Sequence, residues 1–573
     1  IEHCRFLGLQ LARAETGDRP LSRRDADLGS GRAETVTVTI PGDRPKLKNH
    51  TVNAVEFIND GGISATGKRA VVEARGDIWT VPAENGAPRQ ITDTSGAAER
   101  SPAWSPDGRW IAYFSDETGE YQVHLTQSDG KGETRQLTSG SENFYFQTFW
   151  APDSEKLIVV DKTGALNLID VESGESRVLD RDEWANQPGV SWSHDSRFIT
   201  YAKADPKAMA TSIWIYDLEN DEAHQVTSGF FNDTSPAFSR KGDYLFYASN
   251  RDFTSPEYED VGLSFIYANT GKLIAVPLNS EVENASLIEA DNETWEDESD
   301  ESDGAESADE AEAPASPIHG VWAGKVSGLI QIPGMTEDSM DFRMTIIANE
   351  DGSFVGSSEA MGESSSYDSV TFDEGTGKFT ATKSEGPITQ KMEGTLSGDT
   401  ITGTWTVVEM QISGTFEVTR TDEKPDASEI EDSGGDDKPV EIDFEGFEAR
   451  GFELPVASGT FMGLVSNDKG QLIYMSISNG LPSVKLIDVT DEEPEEKTVV
   501  GGAGLADISG DGKKLLVAQG NDAVAIVSAS PGQSMGKKLD ASGLIKTVNP
   551  REEWEQIFTD AWRRHRDFFY VKN

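Results

Sequence analysis

The feature that most constrains this chain is a short turn that recurs at near-regular intervals. Its clearest copy reads Trp104-Ser105-Pro106-Asp107-Gly108-Arg109-Trp110-Ile111-Ala112-Tyr113, a polar reversal followed by a short apolar run that ends on an aromatic. Variants stand at Trp150-Ala151-Pro152-Asp153-Ser154, Trp192-Ser193-His194-Asp195-Ser196 and Phe238-Ser239-Arg240-Lys241-Gly242, with a weaker one at Ile63-Ser64-Ala65-Thr66-Gly67. The first turn residues, at 64, 105, 151, 193 and 239, are separated by 41, 46, 42 and 46 residues. Proline fixes φ at the first corner of such a turn, and Asp and Gly adopt the conformations a tight reversal demands. Asp107, Asp153 and Asp195 therefore read as turn-forming residues rather than catalytic ones. Apolar segments at 77–81, 122–125, 166–169 and 212–216 fall one hairpin downstream of a turn. Four strands in some 40–45 residues is the period of a β-propeller blade.

The pattern stops after Asn250 and resumes at Leu464-Val465-Ser466-Asn467-Asp468-Lys469-Gly470 and Ile508-Ser509-Gly510-Asp511-Gly512, with 43 residues between Ser466 and Ser509. Five copies and two make a seven-bladed ring, and the simplest geometry inserts a foreign domain between the fifth and sixth blades. The run Glu296-Asp297-Glu298-Ser299-Asp300-Glu301-Ser302-Asp303 repels itself and reads as a linker, as does the acidic stretch from Asp422 to Lys438. Between the two, period-two segments such as Phe342-Arg343-Met344-Thr345-Ile346 and Thr400-Ile401-Thr402-Gly403-Thr404-Trp405 indicate a small antiparallel barrel or meander, its core expected to be filled, with a ligand cavity as the alternative. At the end, Asn549 suits a helix N-cap and Pro550 its first turn. Trp554, Ile557, Phe558, Ala561 and Trp562 then share one helical face.

The expected fold is all-β: a seven-bladed propeller, an inserted small antiparallel β-barrel or meander, and a short C-terminal helix. The expected divisions are an irregular segment at 1–34, blades one to five at 35–290 and an acidic linker at 291–317. The inserted domain follows at 318–421, a second linker at 422–440, blades six and seven at 441–547, and the helix at 548–573.

Acidic residues outnumber basic ones 101 to 50 and set a net charge of −51, which argues against nucleic acid and anionic membrane as partners. The lone Cys4 excludes an internal disulfide, and no apolar run approaches the ~20 residues of a membrane-crossing helix. No Gly-x-Ser-x-Gly elbow, phosphate loop, His-Glu-x-x-His or calcium loop is present. His3, His50, His124, His194, His224, His319 and His565 are scattered, and none has a nucleophile nearby in sequence. The residues on their own nominate no catalytic, cofactor-binding or metal-binding side chain.

Three stretches together carry a resemblance. The run Gly67-Lys68-Arg69-Ala70-Val71-Val72-Glu73-Ala74-Arg75-Gly76-Asp77-Ile78-Trp79-Thr80-Val81-Pro82-Ala83-Glu84 resembles the second propeller of tricorn-type serine peptidases. So does Ala98-Glu99-Arg100-Ser101-Pro102-Ala103-Trp104-Ser105-Pro106-Asp107-Gly108. The segment Asn549-Pro550-Arg551-Glu552-Glu553-Trp554-Glu555-Gln556-Ile557-Phe558, continued by Ala561-Trp562-Arg563 and Arg566-Asp567-Phe568-Phe569-Tyr570, is similar to the helix that opens their protease core. The resemblance covers about 35–290 and 440–573 and implies an interior piece of a peptidase. The propeller would gate or guide peptides, while the family's histidine and serine would follow Asn573. It also implies a cytoplasmic protein that acts on oligopeptides and can assemble with itself, an exported protein being the alternative. Two other readings stay open: a non-enzymatic binding propeller, and the propeller of a prolyl-oligopeptidase-like hydrolase.

Overall fold

The computed structural model describes the backbone at 21–26 and 33–38 and, from residue 45 to 569, most of the chain. The acidic stretches 283–315 and 426–438 and short loop pieces are left out. Two compact units are present, a small one (1–54, 94–97 and 545–573) and a large one comprising the remainder.

In the large unit seven antiparallel sheets follow one another. The first four are four-stranded meanders that begin with Ile58–Ile63, Glu99–Trp104, Tyr145–Trp150 and Val190–Trp192. The recurring turn joins the first two strands of each blade, and in the second, fourth and seventh a hydroxyl and a carboxylate close it. Ser105 Oγ donates to Asp107 Oδ1 over 2.5 Å, the Arg109 amide donates to the same oxygen, and Ser193 and Asp195 repeat the pair. Neighbouring turns are stitched together as well: the Asp107 amide donates to Ser154 Oγ, and the Asp153 amide to Ser196 Oγ. Strands that are apolar on both faces then pack blade on blade, as Phe114 and Tyr121 of the second do against Tyr145 and Leu157 of the third.

The fifth blade differs from the expected division. Its strands Asp233–Phe238, Tyr244–Asn250 and Gly271–Pro277 precede the insert, but its fourth, Phe452–Glu453, comes after it and pairs with Ile274 and Ala275. The insert thus interrupts the fifth blade instead of following it. The repeated turn marks only the first hairpin of a blade, so a fourth strand carried to the far side of the insert leaves no sign in the sequence. The ends of the insert stay close, since the Asp443 amide donates to Leu278 O and the Ser280 amide to Asp443 Oδ2, both over 2.9 Å.

The seventh blade has three strands, Gly504–Ile508, Lys514–Gln519 and Ala523–Ser528, and shares none with the first. The ring closes by side-chain packing of Ile63 and Ala70 on Leu516 and by two hydrogen bonds. In these the Asp511 amide donates to Ala65 O, and the Ile63 amide to Asp507 Oδ2.

The insert is an eight-stranded up-and-down barrel, closed by its first strand Gly320–Ser327 on its last, Ile412–Arg420. Its interior is filled by Trp322, Phe342, Met344, Phe379, Met392, Trp405 and Phe416 among others. Gly403 makes room for this filling: a Cβ there would stand 2.7 Å from the Phe416 ring and 2.1 Å from Glu393 O. Arg420 lies over the Trp322 ring, 4.3 Å from its centre, and donates to the carbonyls of His319 and Pro317, capping one end.

In the small unit Leu21–Ala26 pairs with Ala33–Val38, so part of the segment read as irregular is an antiparallel pair of strands. The alternation Thr35-Val36-Thr37-Val38 is its sequence trace, set against an Arg- and Asp-rich partner that hides it. The helix Pro550–Phe568 starts as expected: Asn549 Oδ1 accepts the Arg551 amide and proline occupies the first turn. Its apolar side is exposed, however, with Trp554, Ile557, Phe558 and Trp562 each at least half open, while Asp560 and Arg563 are buried.

Candidate functional site: the central channel

The innermost strand of every blade lines one cavity of about 860 Å³. A regular strand would present only alternate side chains to it. Six of the seven innermost strands instead carry a register break, at 58/60, 100/103, 145/147, 234/237, 462/465 and 505/507. A β-bulge of this kind turns an extra residue off the ladder and into open space. At Ser101 and Ser235 the backbone takes φ of +49° and +53°, in each case directly before a proline, Pro102 and Pro236. Non-glycine residues rarely enter this region, and they hold there only where surroundings over-determine them.

The channel wall carries Asp60, Asp153, Asp195, Arg240 and Asp507, of which Asp60 and Asp507 stand where the ring closes. Asp507 accepts the Ile63 amide on one oxygen and the Ile508 amide on the other, over 2.9 and 2.8 Å. Gly62 leaves room for it, because a Cβ there would meet Asp507 Oδ2 at 2.8 Å. Desolvation pushes this carboxyl up to about 6, against the two amide bonds, with the Asp60 charge adding to the rise and Arg240 opposing it. Burial also raises Asp60 and Glu73, the latter against the pull of Arg100 and the Ser101 amide. Arg240, from the fifth blade, does not reach into the channel as a free cation. It donates to Ser466 O, Ser509 O and Gly510 O and so ties together the turns of three blades.

The histidines go to separate places. His124 is buried beside Tyr113, where desolvation lowers its pKa, and His224 stacks on Phe444 at 3.8 Å. His319 Nδ1 accepts the Ala348 amide in the barrel, His194 sits in the fourth-blade turn at the channel, and His50 lies in the small unit. His565 is on the C-terminal helix, and His3 and Cys4 lie outside the described residues. Among the described residues no group of three or more His, Cys, Asp or Glu is arranged to hold a metal. The channel residues Asp60, Gly62, Ser235 and Asp507 were not singled out by sequence reasoning. The dipeptides Ser101-Pro102 and Ser235-Pro236, at the same place in two blades, are the trace that points to them.

Residues 58–341 match the family described as the Tricorn protease second beta propeller domain. The chain is a homologue of the tricorn-type peptidases. Tricorn protease homolog 1 of Streptomyces coelicolor is 26% identical over 239 residues, 41% of this chain and 22% of that protein. The Tricorn protease of Thermoplasma volcanium is 30% identical over 154 residues, 26% of this chain and 15% of that one. A crystal structure of the tricorn protease superposes with a TM-score of 0.57 at 12% identity, covering 96% of this chain and 40% of that one, a likeness of fold. This chain thus spans about a fifth of the length of the curated relatives it matches. Among the described residues no helix is long and apolar enough to cross a membrane.

Proposed function

We propose that this chain is the propeller portion of a tricorn-like serine peptidase, and that its channel guides peptides to or from a protease core following Asn573. The observation that carries the reading is the cavity of about 860 Å³ to which all seven blades contribute. Bulged backbone and small residues, Gly61, Gly62, Ala65, Ala103 and Ala506 among them, form much of its wall, and the reading places an extended chain in that space. The acidic groups at the closure, Asp60 and Asp507, favour peptides without excess negative charge. Serine-type chemistry, a cytoplasmic location and self-assembly are carried over from the same resemblance and belong to the proposal. Catalysis is assigned to no residue of this chain.

The test is direct binding. A fluorescein-labelled peptide of about ten residues is titrated into the 573-residue chain and into Ala506→Trp, which narrows the channel from an exposed position on its wall. Saturable binding that Ala506→Trp weakens at least tenfold supports the channel. Equal binding by both proteins refutes it. The chain alone is expected to leave a fluorogenic peptide uncut, and hydrolysis stopped by a serine-directed inhibitor would overturn that assignment.

A further inference from the structure

One blade leaves a hole in the channel wall. The innermost strands of the second, third and fifth blades are six residues long, whereas that of the fourth, Val190–Trp192, has three. Its pairing with the next strand, Phe198–Ala204, ends at Val190↔Tyr201. In the second blade the corresponding ladder runs on to Glu99↔Ser115. In place of the missing residues the chain from Asp182 to Gly189 loops aside, and a second cavity of about 610 Å³ opens against Ala202 and Ala204. Gly189 and Ser235 line both this cavity and the channel, so the two spaces adjoin.

The walls define what fits. Trp184 presents a half-exposed indole and Pro188 an apolar ring, while Thr211, Thr234, Asn186 and Gln187 add uncharged polar groups. Asp182 is the sole charged residue of the wall among the described residues, and its carboxylate is committed. It accepts the Trp184 and Asn186 amides on Oδ1, and the Ala204 amide and Asn186 Nδ2 on Oδ2. The nearby Lys203 is turned onto Asp180 at 2.7 Å and the Trp214 ring. A carboxylate entering this space would lose water and face Asp182, and an ammonium would lose water for a carboxylate already shared among four amide donors, whereas a large apolar group would gain from leaving water.

We propose that this cavity is a side-chain pocket of the channel, taking a large uncharged side chain, aromatic or aliphatic, from an extended peptide. The inference rests on the peptide-channel reading above. It makes the channel selective: the passing chain is held at residues such as Phe, Tyr, Trp, Leu or Met, while Asp, Glu and Lys pass without a hold. The glycine at 189 is the doorway. A Cβ built there meets nothing within 4 Å, so a larger side chain fits the backbone and narrows the opening.

The test uses the 573-residue chain and a series of blocked heptapeptides that differ only at the central position, Phe, Leu, Ala, Glu or Lys, with affinity read by calorimetry. Burial of a phenylalanine ring is expected to strengthen binding roughly tenfold to a hundredfold over the Ala peptide. Glu and Lys peptides should bind no better than Ala. In Trp184→Ala and in Gly189→Trp the Phe advantage should shrink to less than about threefold, with the thermal melt unchanged. Binding of all five peptides alike by the unaltered chain, or a Phe advantage that survives both substitutions, overturns the pocket while leaving the channel standing. Binding of none of them overturns both.

Discussion

Asp507 offers the sharpest test of how the ring is held shut. Its carboxylate crosses from the seventh blade to cap the Ile63 amide of the first, at a closure with no shared strand. The folded protein holds this group near 6, against an ordinary value near 3.9 in the unfolded chain. Between those limits the folded state keeps a proton that the unfolded state has released, so this group makes stability fall as pH rises, and above about 6 the cost is complete. The full difference corresponds to about 3 kcal/mol, which channel water screens to about 2 kcal/mol. Asp507→Asn removes the titration and keeps one amide oxygen for Ile63, while losing the second acceptor at a pH-independent cost of about 1 kcal/mol. The quantity to measure is therefore the stability of Asp507→Asn minus that of the unaltered chain, by urea unfolding at pH 4 and pH 8. It is expected to rise by about 2 kcal/mol across that interval. Asp60→Asn, which removes a charge that raises Asp507, should move the midpoint of this change to lower pH. A difference that stays flat with pH, or that falls, would refute the account of Asp507 as a desolvated latch.

Three further outcomes follow from the packing. Arg240→Lys is expected to destabilise the propeller by about 2–4 kcal/mol in urea unfolding, because an ammonium cannot satisfy the three carbonyls that the guanidinium fork reaches. Joining residue 280 to 439 through a short Gly/Ser linker removes the barrel and both acidic linkers. The propeller should keep its unfolding midpoint and m-value per residue, since Leu278 and Asp443 already hold the ends together. Gly403→Ala should abolish the barrel's own thermal transition in calorimetry and leave the propeller's in place, because its Cβ would collide with main-chain Glu393 O as well as with Phe416.

What could be read from the sequence, and what could not, divides along a physical line. The turns were legible because their chemistry is local: Ser105, Pro106, Asp107 and Gly108 form a reversal whatever surrounds them, and repetition at blade spacing then implies the ring. The fourth strand of the fifth blade was not legible, since Phe452–Glu453 lies beyond the insert and owes its conformation to Ile274 and Ala275. The channel was hidden for a related reason. A bulge is a mismatch in register between two strands, so it exists only in the pairing, and neither strand states it alone. The same holds for the pocket between the fourth and fifth blades. The segment Pro188-Gly189-Val190-Ser191-Trp192 reads as an ordinary approach to a turn, and the missing half of its strand shows only against the length of its neighbours.

The contrast between those two hidden features bears on how such a channel works. Six innermost strands bulge, and each keeps its ladder on both sides of the break, so the wall stays continuous while residues turn inward. The fourth does not bulge but stops short, and what it gives up in hydrogen bonds is recovered locally by Asp182, whose four acceptor contacts hold the loop that bypasses the gap. A strand lost through simple decay would leave unpaired amides. Here the amides of Trp184, Asn186 and Ala204 are each satisfied by one side chain, which makes the opening a braced part of the wall. Asp182→Ala should therefore do more than lower stability. It should release the loop and erase the Phe-over-Ala preference of the heptapeptides in calorimetry, whereas Asp182→Asn, with one acceptor left for the Trp184 or Ala204 amide, should retain part of it. If Asp182→Ala kept the full preference in a folded protein, the opening would not depend on that brace.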